Sequence, residues 1–93
     1  LKAARFSKKV LVAIRGKTKD DRQAVGAAIR DAQQHFGDPH SHRGSGIRKV
    51  SPIYYELRVG LDCRLLFTNE PAFLRFVAMG SHDQVKRFLK QQS

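Results

Sequence analysis

A chain of 93 residues has room for one domain and one core, burying roughly 60 to 65% of the surface that its unfolded form exposes. Its 41% hydrophobic and 28% charged residues are ordinary for a globular protein, and no apolar run is long enough to span a bilayer. Eighteen Lys and Arg against eight Asp and Glu leave a formal charge of +10, which implies a polyanionic partner, nucleic acid ahead of an acidic protein or an anionic membrane surface.

The single cysteine, Cys63, excludes an internal disulfide and cannot by itself make a zinc site; beside a turn it reads as a small apolar residue. The opening residues lack the apolar core of a signal peptide, so a soluble, cytoplasmic protein is expected.

In chain order, Phe6, Val10 and Ile14 recur every four residues with Lys8, Lys9 and Arg15 elsewhere around the wheel, which predicts a short amphipathic helix over 5–15 ended by Gly16. Thr18 reads as the N-cap of a second helix over 18–36. Asp20 and Asp21 suit its positive dipole end, Val25, Ala28, Ile29, Ala32 and Phe36 form its stripe, and Gly37 supplies the stop. Two helices joined this tightly form a hairpin whose joint apolar face needs a sheet to cover. Residues 37–46 have no periodicity and are dense in loop formers. His40 and His42 there lack a third ligand at metal-site spacing, so they read as solvated loop, while Arg43, Arg48 and Lys49 are candidate phosphate contacts or a solvated charge cluster.

Strands are predicted around 47–50, 54–60, 64–69 and 73–79. In the second of these, alternation puts Tyr55, Leu57 and Val59 on the core face and Tyr54, Glu56 and Arg58 on the other, with Tyr54 the more exposed tyrosine and a candidate for stacking on bases. Gly60 to Asp62 supply the turn of a hairpin whose returning strand starts at Arg64. Arg75 is the one charge in the last strand, which is otherwise apolar on both faces, and it is a further nucleic-acid contact candidate. Ser81 and Gln84 have the spacing of a capping box before the stripe Val85, Phe88, Leu89. The expected fold class is therefore α+β, a helical hairpin packed on a small antiparallel sheet and closed by a short C-terminal helix, in one domain of residues 1–93.

This order of elements, with Leu57-Arg58-Val59-Gly60 followed closely by Arg64-Leu65-Leu66-Phe67 and a closing Gly-Ser-His before a short helix, resembles the RelE/ParE toxin superfamily. The resemblance covers nearly the whole chain. It implies a toxin of a bacterial type II toxin–antitoxin pair and, in the RelE-like branch, a ribonuclease acting on mRNA in the ribosome. Arg64 stands where the family has a phosphate-binding Arg, and His82 where several members place a catalytic His. Three departures stand beside these matches. The opening strand of the family has only Leu1 to Arg5 to supply it here and is expected short or cut away. The tail offers Phe88 where many members carry a Tyr. Lysines that some members place before the hairpin turn correspond to positions such as Tyr54 and Glu56.

RNA cleavage without a metal needs a base for the 2′-hydroxyl, cations for the charge growing on phosphorus, and an acid for the leaving 5′-oxygen. Arg58 and Arg64 flank one turn and suit the electrostatic role, since a guanidinium binds phosphate through two parallel hydrogen bonds. His82 opens a helix, where free amides also favour phosphate, and Glu56 shares a strand face with Arg58; these two are the acid–base candidates. Ser81 reads as an N-cap and Asp83 as a dipole partner. The expectation is a metal-independent endoribonuclease that needs no cofactor and is neutralised by an acidic antitoxin. A ParE-like inhibitor of DNA gyrase or topoisomerase, and a non-catalytic RNA-binding module, stay open as alternatives.

Overall fold

Five strands and three helices follow along the chain in a computed structural model that describes residues 2–36 and 46–92: β1 (Ala3–Phe6), α1 (Lys8–Arg15), α2 (Lys19–His35), β2 (Ile47–Lys49), β3 (Tyr55–Val59), β4 (Cys63–Asn69), β5 (Phe73–Gly80) and α3 (His82–Gln91). The strands form one sheet in the order β1-β5-β4-β3-β2. From β2 to β5 every pairing is antiparallel, and β1 adds a parallel edge strand against β5, with Ala3 opposite Phe73 and Phe6 opposite Phe76.

The opening strand is thus present, and it displaces the first turn of the helix expected over 5–15. Ser7 is the N-cap of α1: its backbone is extended, and its hydroxyl accepts from the Val10 amide. Phe6 keeps company with Val10 and Ile14 against the core as a strand residue, its ring stacked on Phe76 at 5.4 Å. The spacing of four that read as helical is the chance sum of one strand side chain and two helical ones. Thr18 caps α2 as expected, its hydroxyl accepting from Asp21 N, and Phe36 ends that helix in extended conformation.

The core lies between the α1–α2 pair and one face of the sheet, where Val10, Val25, Ile29 and Ala32 meet Leu57, Leu65, Phe67, Leu74 and Phe76. Each such buried Leu or Phe contributes roughly 1.5 to 3 kcal/mol. Tyr55 and Val59 pack on the same cluster, so the expected faces of β3 are the observed ones. A register shift between Leu66 and Phe67 pairs Leu66 with Ala78 and Phe67 with Phe76, so that Val77 is an extra residue in β5. The bulge lets Phe76 and Met79, three apart, both reach the helix side, which strict alternation forbids. On the opposite face α3 packs over β4 and β5, with Val85 and Leu66 buried. Covered on both faces, β4 is buried from Arg64 to Phe67.

Among the described residues, no helix is long and apolar enough to cross a membrane.

Candidate functional site

The α3 face of the sheet gathers the charges. Arg48 is paired with Glu56 across β2–β3, and Arg58 with Arg64 across β3–β4, so two rungs one strand apart put three guanidiniums and a carboxylate side by side. Period-2 alternation in β3 puts Glu56 and Arg58 here because Leu57 and Val59 are needed in the core. The turn that joins β3 to β4 has three residues, Gly60 to Asp62, since Val59 pairs with Cys63. Gly60 holds φ at 65°, where only glycine is unstrained. Gly46, at φ 76°, has its carbonyl accepting from the Arg58 amide at 3.0 Å and carries the β2–β3 pairing one step further, beside Arg58.

Glu56 and Arg64 are buried, at 7% and 9% exposure, whereas Arg48 and Arg58 are exposed. Glu56 Oε1 lies 3.4 Å from Arg64 Nε and 3.6 Å from Arg48 Nη2. Arg64 Nη1 also donates to the Leu61 carbonyl at 3.4 Å, but its Nε, wholly buried, has no hydrogen-bond acceptor among the described residues and is held by charge alone. Leaving a buried charge without a partner costs several kcal/mol, so Glu56 and Arg64 need one another in the folded chain.

Arg64 is paired with Gly80, the last residue of β5, and so stands beside the start of α3. Ser81 caps that helix in a full capping box: its hydroxyl accepts from Gln84 N, and its own amide donates to Gln84 Oε1 at 2.8 Å. His82 follows as the first helical residue, exposed, two positions along the chain from the partner of Arg64. Guanidiniums, which bind phosphate, and an exposed histidine two residues beyond the partner of Arg64 thus come from adjoining elements, and these residue types are suited to holding an anion and moving a proton.

The remaining candidates lie apart. Lys49 is on the helix side, its ammonium 5.8 Å from the Tyr55 ring. Arg75 is paired with Thr68, four residues along β4 from Arg64, or about 13 Å at the usual rise per strand residue. There Arg75 and Arg5, opposite one another across β1–β5, both rest on the Phe73 ring, at 5.2 and 4.9 Å. Tyr54, expected to be the more exposed tyrosine, is half-buried as Tyr55 is, with Phe88 of α3 meeting its ring edge-on at 5.9 Å. Arg43, His40 and His42 lie outside the described residues. Among the described residues, no group of three or more His, Cys, Asp or Glu could hold a metal ion. The pairing of Arg5 with Arg75 has no signal in the sequence, since nothing local to either residue announces a parallel pairing across 70 positions.

Neither a family model nor a curated protein sequence matches the chain. Solved structures do. The isolated RelE toxin of E. coli superimposes with a TM-score of 0.68 at 10% identity, covering 100% of both chains. In the RelE–RelB complex of Pyrococcus horikoshii the matched chain gives 0.65 at 15% identity, over 86% of this chain and 93% of that one. The YoeB dimer of Staphylococcus aureus gives 0.60 at 13% identity, over 87% and 97%. The fold is that of the RelE-like toxins.

Proposed function

We propose that this chain is the toxin of a type II toxin–antitoxin pair, an endoribonuclease that cuts mRNA on the ribosome without a metal and is held in check by an acidic antitoxin. The reading is carried by one observation: the exposed Arg58 and the buried Arg64 stand directly opposite one another on the sheet, and His82 opens α3 two residues after Gly80, the partner of Arg64. Two like charges on facing positions oppose folding, and a phosphate between them would turn that repulsion into binding. The fold supports the same reading, because its structural neighbours include toxins solved with antitoxins, RelE with RelB and YoeB with YefM. Arg58 and Arg64 would stabilise the charge that grows on phosphorus, and His82 would carry a proton to or from the reacting oxygens.

Expressed without an antitoxin, the protein should arrest growth and leave mRNA cut within codons. His82→Ala and Arg58→Ala, both at exposed positions, should relieve the arrest with the fold intact by circular dichroism. Arg64→Ala should do so at some cost in stability. Loss of one such group lowers the rate by on the order of 10² to 10³. Arrest with whole mRNA and damaged DNA, undiminished in His82→Ala, would replace the ribonuclease reading with that of a topoisomerase poison.

A further inference from the structure

We propose that Glu56 is a positioning residue, which holds Arg64 by its Nε side so that the outer edge of the guanidinium faces the phosphate, and that it takes no proton itself. The inference rests on the ribonuclease reading above and deepens it. Its first support is access. At 7% exposure, with two guanidiniums converging on Oε1, Glu56 presents no open carboxylate oxygen on that side for a substrate hydroxyl to approach. Its second is the condition of Arg64, whose buried Nε has Glu56 as its nearby counter-charge and no hydrogen-bond acceptor among the described residues. The carboxylate therefore sets where that guanidinium sits.

The third support is the balance of charge. Arg58 faces Arg64 across the ladder and makes no ion pair with a carboxylate among the described residues. Glu56 offsets one of the two facing cations, which lets the rung form, and Arg48 leans on the same oxygen from the exposed edge. Three guanidiniums against one carboxylate keep the site positive, as a binding place for a phosphodiester whose negative charge grows during cleavage must be.

The test is a double-mutant cycle on ribosome-dependent mRNA cleavage, with kcat and KM measured across pH for the wild type, Glu56→Gln, Arg64→Ala and the double variant. Glu56→Gln should lower kcat tenfold or more, keep the shape of the pH–rate profile, and cost nothing further in the Arg64→Ala background, because Glu56 acts through Arg64. Should Glu56→Gln fail to fold, Glu56→Asp keeps the charge but draws it back from Nε, and should show the same lowered kcat with an unshifted profile. Loss of the acid limb of the profile would make Glu56 a base and overturn the proposal. So would effects that multiply, or a lowered melting temperature with kcat unchanged. A wild type that cleaves no mRNA overturns the ribonuclease reading and this one with it, whereas cleavage with multiplying effects overturns this one alone.

Discussion

Cys63 shows how much of a residue's chemistry its neighbours decide. It opens β4 half-buried beside Lys17, Asp21 and Arg64. Burial pushes its thiol up from the ordinary value, Asp21 adds to the rise, and Lys17 and Arg64 pull part of it back. A raised pKa means that the folded chain favours the neutral thiol. The stability this lends is whole below the ordinary thiol pKa and is lost as pH rises through the raised value. Alkylation by iodoacetamide should therefore run slower in the folded protein than in the urea-unfolded chain at neutral pH, and the gap should close on the alkaline side. Equal rates at pH 7 would show the thiol to be open. Reading Cys63 as a small apolar residue agrees with this setting, which suits packing more than reactivity.

At the scale of elements, α3 is the piece that packs over β4 and β5 on the charged side of the sheet, and it hangs on its first turn. The capping box formed by Ser81 and Gln84 satisfies two amides there, and Gly80 makes room for it: a Cβ at Gly80 would lie 2.5 Å from Gln84 Oε1 and 3.0 Å from Gln84 Cβ. Ser81→Ala should cost about 1 kcal/mol in urea unfolding. Gly80→Ala should destabilise by a similar amount, by pushing the Gln84 side chain out of the box. Since both changes break one device, the double variant should lose clearly less than the sum, and full additivity would show that Gly80 acts elsewhere. The hydroxyl of Ser81 is thus occupied in holding a helix.

For the molecule as a whole, the excess of +10 is laid out unevenly. One sheet face carries Arg48, Arg58 and Arg64 towards one end and Arg5 with Arg75 at the other. A single strand of RNA neutralised at three or four of these places should lose affinity as salt rises, with a log–log slope of about −2 to −3. Affinity for a 2′-deoxy-blocked RNA oligonucleotide between low and physiological salt checks this, and Arg58→Ala should shallow the slope by about 0.7. A flat response would remove the polyanion argument altogether.

Whatever depends on neighbours in the chain, the sequence determined by itself. The caps at Thr18 and Ser81, the stripe of α2 and the two faces of β3 are set within a few residues, by hydrogen bonds and periodicities that operate over one turn or one pleat. The closing helix and the approximate strand spans were legible for the same reason. Tertiary structure decided what those local rules leave open. Four residues, Ala3–Phe6, are too few to show a period, and only the exposed side of β5, some 70 positions on, makes a strand of them. The bulge at Val77 exists because Phe76 and Met79 must both reach one core. Of the charged candidates, the sequence named Arg48, Glu56, Arg58 and Arg64 separately. Ladder register seated the Glu56 carboxylate between two guanidiniums, and register is fixed by packing across the sheet, where adjacent residues of one strand have no say.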